Sequence, residues 1–274
     1  MRKLNYMTQN FNLHRISILA LLAATATVWG GTIVNGNFET GDATGWTVGG
    51  GYRGNLLNGQ LVPSNFLSGG PNYNSSIANN HSGIVTPGTD PNTGNQLNRV
   101  YSGNYSWRVE DTVSGGYASV ISQTVNNYTS PDFFFAWAAV LEGAHGANDA
   151  ATVIITLRDL TDSVDLIVRQ YNAANNGTGI DPRFVDSTNT TGFFWTPWQI
   201  EQLTLPLNAI GHDLRLTILA ADCNPTGHTG YLYLDGFGAV APPPSGTDAP
   251  EPSTYALVGM GLAVALGNRM RRNR

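Results

Sequence analysis

The chain has 274 residues, 12% of them charged, a single cysteine and a formal net charge of −5. That length allows one large domain or two small ones. A lone Cys223 excludes an intrachain disulfide, and the acidic balance makes nucleic acid a poor partner, because it is bound through clustered lysine and arginine.

Residues 1–28 read as a secretory signal peptide. Arg2, Lys3, His14 and Arg15 form a basic start and Ile16 to Val28 an apolar core. Ala24-Thr25-Ala26 offers signal peptidase a small-residue site. The body that follows, Thr32 to Asp248, holds 18 acidic residues, seven arginines and no lysine, a balance of −11. Such a body is compatible with calcium, with a neutral glycan and with solubility outside the cell.

A β-sandwich domain is expected over residues 30–241. Its first strand is expected at Ile33-Val34-Asn35-Gly36-Asn37-Phe38, ahead of Gly45-Trp46. Segments of alternating polarity bounded by Gly, Asn and Asp then predict strands at Tyr105–Glu110, Tyr117–Val125, Phe133–Leu141, Thr152–Arg158 and Val164–Tyr171. Further strands are expected at Trp198–Leu205, Leu214–Ala221 and Gly230–Val240. No window carries a helical period of adequate length. Eight or more strands without helices predict an all-β chain, an antiparallel jelly-roll β-sandwich.

Two insertions interrupt the pattern. Residues 49–98 contain ten Gly, ten Asn and four Pro, show no clear structure, and read as either a functional loop or a flexible one. Asn172 to Thr191 is a shorter version. Next, Phe193-Phe194-Trp195-Thr196-Pro197-Trp198 carries aromatics into the following strand. Residues 242–249 are a Pro-rich extended linker.

The tail begins Pro250-Glu251-Pro252-Ser253-Thr254, continues as an apolar run from Tyr255 to Gly267 and closes with Arg269, Arg271, Arg272 and Arg274. Prolines fix the opening turn, Ser253 and Thr254 can cap a helix, and the arginines suit a cytoplasmic end. The run is shorter than the roughly 20 residues that span a bilayer, so it reads as a transient anchor. This order of parts resembles the PEP-CTERM sorting signal of Gram-negative bacteria that export a polysaccharide matrix. The resemblance implies export, temporary anchoring of helix 255–267 in the inner membrane, and release by an exosortase cutting near Pro250 to Ser253. An ordinary C-terminal membrane anchor is the alternative.

The body has a resemblance of its own. Asn-Gly-Asn-Phe-Glu-Thr-Gly at 35–41, Gly45-Trp46, Tyr101 to Val109, and Tyr-Leu-Asp-Gly-Phe at 233–237 resemble galactose-binding-like jelly rolls, common among carbohydrate-binding modules. The resemblance implies that the first and last strands pair. It also implies a structural Ca²⁺ held by Glu39 and Asp235, with loop carbonyls completing the six to eight oxygens calcium requires.

A sugar stacks its C–H face on Trp or Tyr rings and offers hydroxyls to Asn, Asp, Arg and Gln. The loop-borne candidates are Trp195 and Trp198 first, then Trp46, Tyr52 and Tyr73, whereas Phe133, Phe135 and Trp137 share a strand face and read as core. Glu142, His145 and Asp149 lie close in sequence but lack a metal-finger spacing and read as a solvated loop. Cys223 reads as a buried thiol, although His228 is five residues away. No nucleophile elbow, phosphate loop or dinucleotide fingerprint is present, and no carboxylate pair stands out, so no catalytic residue is assigned. The expected function is non-catalytic polysaccharide binding at the cell surface or in the extracellular matrix. The alternatives are a structural matrix protein and a polysaccharide hydrolase.

Overall fold

We describe residues 30–174 and 181–242 of a computed structural model of the chain. The expected signal peptide, Pro250 to Thr254 and the apolar run 255–267 lie outside the described residues. Among the described residues, no helix is long and apolar enough to cross a membrane.

Among the described residues there are twelve strands: β1 (Thr47–Tyr52), β2 (Gly83–Val85), β3 (Ser106–Val109), β4 (Tyr117–Tyr128), β5 (Asp132–Glu142), β6 (Thr152–Asp159), β7 (Val164–Asn172), β8 (Val185–Ser187), β9 (Phe193–Trp195), β10 (Gln199–Thr204), β11 (His212–Ala221) and β12 (Gly230–Gly238). They form two antiparallel sheets. One runs β1-β4-β11-β6-β7 and the other β2-β3-β12-β5-β9-β8, with β10 also pairing β5. The expected all-β sandwich is therefore what the chain forms. Between the sheets lies the main core, including Val125, Phe133, Phe135, Trp137, Leu157, Leu216, Ile218 and Leu234.

β9 and β10 lie in succession along the same edge of β5. Pro197 has no N–H to donate, so the ladder breaks beside it. Thr196 bridges the gap: its N–H donates to Ala139 O at 2.9 Å and its hydroxyl accepts from Ala139 N at 3.0 Å.

β5 is apolar on both faces because both are covered. Phe133, Phe135 and Trp137 enter the main core, while Ala138 and Val140 pack outward beneath Leu97, Phe193, Trp195, Tyr231 and Tyr233. Residues around Asp90 to Leu97 thus cap the outside of this sheet. Asp90 is buried there, with one carboxylate oxygen accepting from the hydroxyls of Tyr231 and Tyr233, each at 2.8 Å. On the opposite side, Leu61 and Phe66 cover Ala118, Val120, Ile154 and Leu219 on the five-stranded sheet. The Gly/Asn-rich stretch is not the structureless loop expected. It contains most of β1, β2, several 3₁₀ turns and one short helix, α1 (Ser75–Asn80), capped by Asn74. Its few apolar residues, spaced too irregularly to signal a helix or strand, anchor two arms over the two outer faces.

A second expectation also fails. Residues 33–38 form a turn, not a strand, with Asn35 and Phe38 at positive φ, and they do not form a ladder with β12. The two ends of the domain still meet, through Phe237 N–H donating to Gly36 O at 2.9 Å and through the packed rings of Phe38, Trp46 and Phe237.

Candidate functional site

Where β6, β7 and β11 run side by side, core residues such as Ile155, Leu157, Leu216 and Ile218 alternate with outward-facing neighbours. Those neighbours include Thr156, Arg158, Gln170, Arg215 and Thr217. The segment from Asn58 to Ser64 stands beside them as a wall, held where Gln170 Nε2 donates to Asn58 O at 2.9 Å. Sheet and wall together enclose an open groove of about 440 Å³. Arg158 Nη1 donates to Asp165 Oδ1 at 2.8 Å, and Arg215 Nε donates to Thr124 Oγ1 at 3.1 Å. A guanidinium carries five N–H donors, so neither arginine is used up by these contacts. The sequence signalled none of this, because the groove is built from residues on three strands and one insertion arm.

The five aromatic candidates are not brought together. Trp195 is buried at 5% exposure on β9 rather than loop-borne, beneath the Leu97 arm, and its indole N–H donates to Ser187 Oγ at 3.0 Å. Phe193 and Phe194 are buried beside it. Trp46 is also core, at 8% exposure, with its N–H donating to Asn35 O. Trp198 is half-buried; its ring edge meets Tyr101 at 5.4 Å between centroids, and it shares a pocket of about 240 Å³ with Trp195, Gln96, Asn98 and Pro197. Tyr52, at the β1 edge, is 56% exposed and lies against Tyr117, whose ring in turn meets His81 at 4.1 Å. Tyr73 is half-buried in the insertion arm.

Glu39 and Asp235 do converge, on one loop. Glu39 Oε1 accepts from Asn104 N at 2.9 Å and Tyr105 N at 3.0 Å, and Asp235 Oδ2 accepts from Ser102 N at 3.1 Å. Asp235 sits at a β-bulge in β12, where the register shifts before Gly238 and Gly236 turns through φ 64°. Its carboxyl is fully buried and pushed up to about 8, first by burial and then by the negative charge of Glu39. A divalent cation between two such carboxylates would reverse both effects. Carboxylates are the ligand type calcium takes, but each of these four oxygens already accepts from an N–H, Asn104 Nδ2 and Gly236 N included, so loop oxygens would have to supply most of a calcium shell.

Elsewhere, Asp222 is buried and pushed up to about 8 by desolvation and by Glu110, and its Oδ2 accepts from the N–H groups of Gly115 and Tyr117. That arrangement ties the β11 end to the turn that opens β4. Glu142 accepts from Thr229 N and Asp149 from Gly146 N, and neither is hydrogen-bonded to His145. His145 turns instead towards His228 and Cys223, a grouping invisible to sequence spacing.

A search of curated proteins finds no match to the chain. Among solved structures, the chain is similar to the TmCBM61 module in complex with β-1,4-galactotriose, at 12% identity and TM-score 0.36, covering 74% of this chain and 93% of that one. It is similar to the Caldicellulosiruptor saccharolyticus CBM27-1 module in complex with mannohexaose, at 10% identity and TM-score 0.37, covering 80% and 98%. It is also similar to a cyclase from Fischerella sp. TAU, at 16% identity and TM-score 0.35, covering 75% and 93%. A family signature is carried by the C-terminus: residues 248–272 match the PEP-CTERM protein-sorting motif, which implies export and processing by an exosortase.

Proposed function

We propose that the released β-sandwich binds polysaccharide without cleaving it, at the cell surface or in the extracellular matrix of a Gram-negative bacterium. The observation that carries this reading is the open groove on β6, β7 and β11, lined by arginine, glutamine and threonine side chains suited to sugar hydroxyls. A groove open to solvent admits the middle of a chain as well as its end. Its lining holds one carboxylate, Asp165, already paired with Arg158, whereas glycoside hydrolysis generally employs two. Ca²⁺ at Glu39 and Asp235 would tie the N-terminal turn to β12 and act structurally.

A structural matrix role without a small ligand is the second reading, favoured by the Leu97 arm that closes the outer face of β5. Affinity electrophoresis separates the two. The protein recovered from its host should be retarded in gels cast with that host's own exopolysaccharide, and Arg158→Ala with Arg215→Ala should abolish the retardation. Equal mobility with and without polymer would sink the binding reading. If retardation survives the arginine pair and is lost in Trp198→Ala, binding lies in the Trp198 pocket and not in the groove.

A further inference from the structure

The loop after β5 and the loop between β11 and β12 lie side by side at one end of the sandwich. Cross-loop hydrogen bonds fix them: Glu142 N to Thr229 O at 2.9 Å, Thr229 N to Glu142 Oε2 at 2.9 Å, and Asn224 N to Asp149 O at 2.8 Å. Beneath them the buried Arg53 donates to Ala150 O at 3.1 Å and Asp222 O at 2.5 Å, one carbonyl from each loop. Within the second loop, Cys223 N donates to His228 O at 2.9 Å, folding His228 back over its own cysteine.

Three donor atoms meet there. His228 Nδ1 lies 3.0 Å from His145 Nε2 and 3.6 Å from Cys223 Sγ, and the three atoms all fall within 4.8 Å of one another. A tetrahedral zinc ion, with bonds of about 2.0–2.1 Å to nitrogen and about 2.3 Å to sulfur, sets its N···S edges at roughly 3.6 Å and its N···N edge at roughly 3.3 Å. The two edges at His228 are already close to those values, at 3.0 Å and 3.6 Å, and the third, from His145 to Cys223, lies within 4.8 Å and would have to close on binding. His145 sits at φ 65°, in the left-handed region that histidine enters more readily than most residues, and its Nε2 reaches across the loop boundary to His228.

We propose that His145 Nε2, His228 Nδ1 and Cys223 Sγ form a Zn²⁺ site that clamps these two loops, with the fourth position left to water or an external ligand. On binding, the Cys223 thiol loses its proton to solvent and becomes the thiolate ligand. The proton held between the two imidazoles moves to the outer nitrogen of its own ring, a change of tautomer, so one proton is released per metal ion. A soft thiolate with two imidazoles selects zinc over calcium or magnesium, and so the site is chemically distinct from Glu39 and Asp235.

The test is titration of the full chain, stripped of metal, with Co²⁺ as a coloured substitute for Zn²⁺. The expected result is one equivalent bound, a thiolate-to-cobalt charge-transfer band in the near ultraviolet, release of one proton, and displacement by Zn²⁺. Cys223→Ser should lose the band while keeping the circular dichroism of the parent. His145→Ala, a change confined to a loop, should weaken Zn²⁺ binding by more than the roughly 10–100-fold that loss of an outer partner costs. Absence of a thiolate band in the parent chain, or Zn²⁺ binding equally well to the parent and to His145→Ala, would overturn the proposal.

Discussion

The indole N–H of Trp198 donates to the carbonyl of Asn98 at 2.8 Å, joining positions 100 residues apart. The bond pins the end of the insertion arm to the strand that begins at Gln199, while Trp195 lies under the same arm. Two tryptophans three residues apart therefore do different work. Trp195→Ala should cost about 3–5 kcal/mol, the range for emptying a buried aromatic site. Trp198→Phe keeps a ring against Tyr101 but gives up one hydrogen bond, and should cost about 0.5–1.5 kcal/mol. Urea unfolding at constant m-value measures both, and equal losses would contradict the assignment of one ring to the core and the other to a pocket.

Asp222 and Asp235 are each pushed up to about 8 in the folded chain, mainly by burial. An unfolded aspartate titrates near its ordinary value of 3.8. Between those values the folded state keeps a proton that the unfolded state has lost, so folding binds protons and stability falls as pH rises. Each group contributes a slope of up to about 1.4 kcal/mol per pH unit. Denaturant titrations of metal-free protein from about pH 5 to about pH 7 should show that decline, and Asp222→Asn should remove one group's share. A flat profile would show that neither carboxyl is held neutral.

Calcium bound at Glu39 and Asp235 would cancel the Asp235 effect. A cation at Glu39 and Asp235 favours the ionised form, so metal-loaded protein should lose the Asp235 share of the decline. Chelation by EDTA followed by Ca²⁺ should lower and then restore the melting temperature, and Asp235→Asn should be insensitive to both. A restoration achieved by Zn²⁺ alone would place the effect at His145, Cys223 and His228 instead. A melting curve unmoved by chelation would dispose of calcium.

The strands that carry the core were legible because alternation and apolar runs depend on the residues themselves. Tyr117 to Val125, Phe133 to Leu141 and Leu214 to Ala221 all fall within observed strands. What covers those strands was not legible. Leu61, Phe66 and Leu97 are single apolar residues in a Gly/Asn-rich stretch, and their value comes from where the chain folds back, not from any period. The same limit applied to the candidate sites. Glu39 and Asp235 were found through a motif resemblance, whereas the groove and the His145, Cys223, His228 cluster exist only once distant loops are juxtaposed.

The sorting motif at residues 248–272 predicts a covalent change. Mature protein from the native host should end before Tyr255 and lack Arg269 to Arg274, which intact-mass spectrometry reads directly. Replacing Pro250-Glu251-Pro252 with alanines should leave the uncut chain in the membrane fraction. An intact arginine end on released wild-type protein would refute exosortase processing.

Arg53 is the residue on which both loops at the metal cluster depend. It is 1% exposed, and its donors reach Leu56 O, Asn58 Oδ1, Ala150 O and Asp222 O, so one planar group serves four acceptors in three parts of the chain. Burial lowers its pKa to about 10, but it remains charged at neutral pH and is solvated by protein oxygens in place of water. Lysine has the charge but not the fan of donors, so Arg53→Lys should recover little of what Arg53→Ala loses. Both should cost about 3–5 kcal/mol, the range for leaving buried polar partners uncompensated. Because the lost anchors include Asp222 O and Ala150 O, Zn²⁺ affinity should fall alongside stability. A variant as stable as the parent, with Zn²⁺ binding intact, would show that the two loops hold their positions without the guanidinium.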